Sequence, residues 1–225
     1  MEDAFICIGC KRRKNKKEAA ISTEYLGICK RCNDRLSYLP EKTVFPGTKN
    51  IDSFISAFSY EGLIKEIIRR YKFSGQVAYK DVFIPLMMKN LTRFPLQEDY
   101  DLITAIPLSR KRLYERGYNQ AEVLARDIAD AIDMECNFNC IFKKRHNKKQ
   151  SLTKNKWARQ ENVRDTYIAD YRKIKGKRII LIDDVCTTGS TMDECAKELR
   201  EKGATSVLGV TLAKTIRYKR DFFGK

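Results

Sequence analysis

Residues 179–191 read IILIDDVCTTGST, and the fold turns on how this stretch is understood. Ile179, Ile180, Leu181 and Ile182 are apolar in succession, which predicts a strand buried on both faces, as in a parallel sheet covered by helices. Two acids follow, Asp183 and Asp184, then the loop Thr187-Thr188-Gly189-Ser190-Thr191. A helix is predicted over 190–202, closed by Gly203. In open parallel sheets ligands sit beyond the carboxyl ends of the strands, where the two acids fall. At the helix start, free backbone N–H groups and the helix dipole favour an anion, and the hydroxyls add donors. Gly189 lets the backbone turn tightly and approach phosphate oxygens. Adjacent carboxylates repel unless something uses them: sugar hydroxyls can donate to both, and a hydrated Mg²⁺ would offset their charge. The pattern therefore points to a phosphate pocket with acceptors for vicinal hydroxyls beside it. An ordinary Ser/Thr helix cap after solvated acids explains the cap but not the paired acids.

Outward from this stretch, strand and helix signals alternate. Residues 54–60 have strand-like aromatic alternation, and 63–71 place Leu63, Ile64, Ile67, Ile68 and Tyr71 on one helical face. A helix is predicted over 82–91, a short strand over 101–106 ending at Pro107, and a helix over 118–132. Residues 206–212 supply one more buried strand, whereas 143–164, polar and basic without a period, read as a long loop. Alternating strands and helices predict an α/β domain with a mostly parallel sheet.

The chain has 225 residues, 43% hydrophobic and 33% charged, enough to bury a core and unlike a disordered polymer. No apolar run approaches the roughly 20 residues that span a bilayer. The acidic start at Glu2 and Asp3 lacks the order of a secretory signal. A cytoplasmic protein without membrane insertion is expected. Forty-five Lys and Arg against 29 acids give a formal charge of +16, which favours nucleic acid or phosphorylated metabolites as partners. The basic residues cluster at 11–17, 110–112, 143–149 and 172–178. Such runs are also common as solvated loops. His146, within one of them, reads as a solvated histidine. Trp157 either stacks a base or anchors its loop.

Four of the eight cysteines fall in two pairs, Cys7-x-x-Cys10 and Cys29-x-x-Cys32, with eighteen residues between. Tetrahedral Zn²⁺ takes four thiolates, and each C-x-x-C turn offers two at a suitable separation. A closed structural zinc module over residues 1–45 is expected, ahead of the α/β domain over 46–225, with a break near Pro40 and Pro46.

The segment IDDVCTTGST resembles the phosphoribosyl-pyrophosphate motif of type I phosphoribosyltransferases. By that resemblance Asp183 and Asp184 bind the ribose hydroxyls, and Thr187, Thr188, Gly189, Ser190 and Thr191 wrap the 5′-phosphate, with Mg²⁺ accompanying phosphoribosyl pyrophosphate. Cys186, at a variable position, reads as a small filler. Residues 106–120, IPLSRKRLYERGYNQ, resemble the signature of the competence protein F (ComF) branch, P-L-x-x-x-R-x-x-x-R-G-[FY]-N-Q. Arg112 and Arg116 suit pyrophosphate or nucleic-acid phosphates, because guanidinium binds phosphate oxygens bidentately. Gln150, Leu152, Arg159, Asn162 and Val163 also match the branch, with departures at Asn147 and Tyr167, where threonine and phenylalanine are expected. Lys72 and Phe73 before Gly75 fit its K-[FY]-x-x-G segment less closely, with one residue between Phe73 and Gly75. The resemblance implies a type I phosphoribosyltransferase-like sheet flanked by helices behind a zinc module. It also implies a role in DNA uptake, with single-stranded DNA and a helicase-like protein as partners. An active phosphoribosyltransferase and a phosphoribosyl pyrophosphate sensor are the alternatives.

Overall fold

The computed structural model describes residues 4–39, 42–43, 48–73, 75–144 and 166–216. His146, Asn147, Trp157 and the branch matches at 150–163 lie outside them. The chain opens with strands β1 (Ala4–Cys7), β2 (Arg13–Asn15), β3 (Ala19–Ser22) and β4 (Leu26–Cys29), then helix α1 (Lys30–Asn33). These strands form a small sheet in the order β2-β1-β4-β3. After it come β5 (Lys42–Thr43), β6 (Ser53–Ser59), α2 (Gly62–Phe73), α3 (Lys80–Leu91), α4 (Leu96–Asp99) and β7 (Leu102–Ala105). Next are α5 (Arg110–Arg116), α6 (Gln120–Ala131), β8 (Ile141–Lys143), β9 (Tyr167–Ala169) and α7 (Tyr171–Ile174). The described chain closes with β10 (Arg178–Cys186), α8 (Ser190–Glu201) and β11 (Ser206–Lys214).

The main sheet runs β5-β6-β11-β10-β7, with β6, β11, β10 and β7 parallel and β5 antiparallel at one edge. Its central strands are covered on both faces, which is why β10 begins with the unbroken apolar run 179–182. Side chains alternate along β10. Ile180 and Ile182 join the larger core with α2, α3 and α6, whereas Ile179 and Leu181 join the smaller one with α8 and the β8–β9 ribbon. The cysteine segment is continuous with the larger core: Phe5, Ile8, Ile28 and Leu36 are buried in the same cluster as Leu63 and Ile67. Tyr38 forms a bridge to Phe58 on the way into the main sheet.

Two expectations need amending. The strand predicted to end at Ile182 runs on to Cys186, because β11 continues beside it and pairs Val185 with Ala213 and Cys186 with Lys214. Lys143, placed in the predicted loop, instead closes β8 opposite Tyr167, and residues 145–164 of that loop lie outside the described residues. A strand of three residues carries too little period to be told from a polar loop.

Gly209 lets α8 and the Phe54 ring pack close on β11. A Cβ there would stand 2.5 Å from the Met192 sulfur and 2.8 Å from the Phe54 ring. Gly209→Ala should lower the midpoint of urea unfolding, with a loss of about 1–3 kcal/mol for overpacking. An unchanged midpoint would show that the contact is not limiting.

Candidate functional site

The site arises where two neighbouring strands stop at different heights. On one side of β10, β7 pairs only as far as Ala105 opposite Ile182, and the chain turns away through Ile106 and Pro107. On the other side β11 continues to Lys214. The last four residues of β10 therefore border a crevice on the β7 side, and the two acids lie in it.

Strand alternation sends the acids toward opposite faces. Asp184, buried, follows Ile182 toward α2 and α5. Its carboxylate lies 2.8 Å from the Lys72 ammonium and 4.0 Å from the Arg116 guanidinium. Arg116 also donates to the Gln120 side-chain oxygen at 2.8 Å and sits over the Phe73 ring at 5.3 Å. Asp183 follows Leu181 toward the β8–β9 ribbon and accepts the Asp184 backbone N–H at 2.8 Å. Burial, and then the neighbouring Asp184 charge, raise the Asp183 carboxyl well above the ordinary carboxylate range.

The loop after β10 behaves as its composition requires. Gly189 takes φ +79°, in the left-handed region, and α8 starts immediately after it. Thr187, Thr188, Ser190 and Thr191 are exposed, and the Thr188 and Ser190 hydroxyls lie 3.0 Å apart. Asp193 pins this end of α8, accepting the backbone N–H groups of Lys49 and Asn50 at 2.8 Å each. Cys186 is buried, its thiol pushed up to about 12 by burial, which leaves it inert as a nucleophile and fits the filler reading.

These parts enclose a cavity of about 260 Å³. Asp183, Asp184, Thr187 and Thr191 line it, and so do Arg112 and Arg116. Thr188, Gly189 and Ser190 belong to the loop but not to the cavity lining. Lys72, Lys143 and Tyr167 also line the cavity. The Lys143 ammonium is 3.4 Å from the Tyr167 hydroxyl and 5.2 Å above its ring. Burial and the charge of Arg112 lower the Lys143 pKa. Sequence reasoning gave neither Lys72 nor Lys143 a role. Lys143 stood inside a basic run that reads as solvated loop; the usable signal was alternation, with Ile141 buried and Phe142 exposed. Tyr167, where the family pattern has phenylalanine, adds a hydroxyl to the wall.

The second cluster is at the cysteines. The sulfurs of Cys7, Cys10, Cys29 and Cys32 all lie within 4.8 Å of one another, a set able to hold a metal ion. The Cys29 backbone N–H donates to the Cys7 sulfur at 3.4 Å. A Cβ on Gly9 would fall 2.9 Å from the Cys32 sulfur, so glycine is needed for this closeness. An open cleft of about 690 Å³ adjoins the cluster, bordered by Arg12, Lys17, Lys30, Arg31 and Arg35.

The model of a family described as phosphoribosyl transferase domain matches residues 118–221. Competence protein ComFC of Bacillus subtilis is 33% identical over 71% of this chain, and that of Streptococcus pneumoniae is 32% identical over 70%. The matches span 63% and 66% of those two proteins. Competence protein F of Haemophilus influenzae is 24% identical over 90% of this chain and 87% of its own length. Among solved structures, the purine phosphoribosyltransferase of Pyrococcus horikoshii overlaps at TM-score 0.33 and 20% identity, covering 59% of this chain and 70% of that one. No helix among the described residues is long and apolar enough to cross a membrane. The paired acids and the loop thus stand inside the phosphoribosyl transferase match, in a chain that is a homologue of proteins named competence protein ComFC and competence protein F.

Proposed function

We propose that the cavity binds phosphoribosyl pyrophosphate with Mg²⁺, and that the protein acts in DNA uptake, contacting single-stranded DNA beside a helicase-like partner. One observation carries the ligand reading. Paired acids, a hydroxyl-rich loop at a helix start and unneutralised cations meet around a single small cavity. The loop of Thr187, Thr188, Gly189, Ser190 and Thr191 would take the 5′-phosphate, with Asp183 and Asp184 on the ribose hydroxyls. Arg112, which has no ion pair among the described residues, and Lys143 would face the pyrophosphate, with Arg116 behind them. Mg²⁺ would offset the charge of pyrophosphate and acids together. Zn²⁺ is the ion proposed for Cys7, Cys10, Cys29 and Cys32, since four clustered thiolates suit its tetrahedral preference. The relatives named for competence and the +16 charge support the DNA reading.

Calorimetric titration should show phosphoribosyl pyrophosphate binding that needs Mg²⁺ and weakens at least about tenfold in Asp183→Asn/Asp184→Asn, the loss of two charge-assisted contacts. Equal affinity in both proteins would defeat the ligand reading. Pyrophosphate release on adding candidate bases would establish transfer, and binding without release would leave a sensor. Single-stranded DNA should bind with a steep salt dependence; no binding at about 50 mM salt would sink the DNA reading.

The Asp183 carboxyl gives a pH signature. Its folded pKa lies above the unfolded value of 3.8, so over that interval the folded state keeps a proton the unfolded chain has lost. Stability therefore falls as pH rises above the ordinary carboxylate range, and Asp183→Asn should abolish that decline. Urea unfolding across pH measures it, and parallel profiles for variant and wild type would contradict it. Elemental analysis of protein purified under reducing conditions should find zinc bound to the chain, and Cys29→Ser should lose it; zinc-free, folded wild type would overturn the assignment.

A further inference from the structure

Helix α5 is held at both ends, and among the described residues nothing covers its outer side. Ser109 accepts the Arg112 backbone N–H at 3.3 Å to start it, and Gly117, at φ +78°, closes it with an N–H to the Leu113 carbonyl at 2.8 Å. Yet none of its seven residues is buried. Its inner side packs through Arg116 on Asp184 and the Phe73 ring, whereas the outer side has no packing among the described residues and is open to a partner.

The two sides of the helix differ. Residues four apart share a side, so Arg112 and Arg116 face the cavity together while Arg110 and Tyr114 face outward. Tyr114 is 92% exposed and has no hydrogen bond or ring contact among the described residues. Leu113 beside it is 44% exposed, and Arg110 and Lys111 are exposed as well. Arg110 has no ion pair among the described residues, and the pair of Lys111 with Glu115, at 3.7 Å, is solvent-exposed. Phe73, 72% exposed beneath Arg116, gives a second open ring at the same mouth. An apolar protein surface would bury the cations Arg110 and Lys111 along with the Tyr114 ring. Residues 145–165 of this chain carry seven Lys or Arg against two acids, so their charge does not complement this face. A polyanion carrying flat rings meets both features.

We infer that the outer face of α5, through Arg110, Lys111 and Tyr114, is the platform on which single-stranded nucleic acid lies, bases on the Tyr114 ring and phosphates on the cations. This rests on the single-stranded DNA reading above and assigns it a place. It also puts the strand at the rim of the ribose cavity, because the inner face of the same helix lines that cavity.

The test is fluorescence anisotropy with a labelled oligothymidylate. Tyr114→Ala should weaken binding by about fivefold to tenfold, the loss of one stacked base, while Tyr114→Phe keeps most of the affinity. Arg110→Glu/Lys111→Glu should flatten the salt slope by at least about one. Both variants should keep wild-type unfolding midpoints. Wild-type DNA affinity in Tyr114→Ala, with loss of binding in Lys30→Glu/Arg31→Glu at the cysteine-side cleft, would overturn the α5 assignment and leave the DNA reading intact. Failure of the wild type to bind at low salt would overturn both.

Discussion

Lys72 and Asp184 meet at 2.8 Å where β10 outlasts β7, and much of the molecule is arranged around that contact. A carboxylate as buried as Asp184 needs a partner, since removing one half of a buried pair costs several kcal/mol, about 3–5 by precedent. Lys72 comes from the last turn of α2, and its neighbours in that turn make the other attachments. Arg70 donates to the Gly9 carbonyl at 3.3 Å, inside the first cysteine pair. The Tyr71 carbonyl accepts the Tyr118 hydroxyl at 2.5 Å, and Phe73 lies under Arg116. Four consecutive residues thus tie the cysteine segment, the arginine helix and the central strand together. The last turn of α2 fixes where Asp184 points, and so fixes one wall of the cavity.

The sheet was legible because its central strands are buried on both faces, which shows as an unbroken apolar run at 179–182 and as closely spaced Val and Leu at 206–212. The phosphate loop was legible because strand, acids, hydroxyls and glycine occur in uninterrupted order. What escaped depended on neighbours. Nothing local says that β10 continues through two acids; its partner β11 decides that by running on to Lys214. Lys143 becomes a cavity residue only because Tyr167, far along the chain, pairs with it. The division of the acids between two faces likewise follows from strand alternation, once the strand is known to include them.

Physically, the cavity has a polar, anion-seeking loop on one side and cations on the other, with carboxylates between. Such a layout selects a ligand with anionic groups at both ends and hydroxyls in the middle, which is the proposed reading of phosphoribosyl pyrophosphate. Arg116 is engaged with Asp184, Gln120 and the Phe73 ring, whereas Arg112 and Lys143 have no ion pair among the described residues. The arginine helix then serves two surfaces, an inner one for the small ligand and an outer one for the proposed strand.

A crystal structure of the protein with Mg²⁺ and phosphoribosyl pyrophosphate tests most directly which groups receive which end of the ligand. The 5′-phosphate should lie against Thr187, Thr188, Gly189, Ser190 and Thr191, the ribose hydroxyls on Asp183 and Asp184, and the pyrophosphate toward Arg112 and Lys143. Ligand density in the cleft beside the cysteines, with the β10 crevice empty, would contradict this placement.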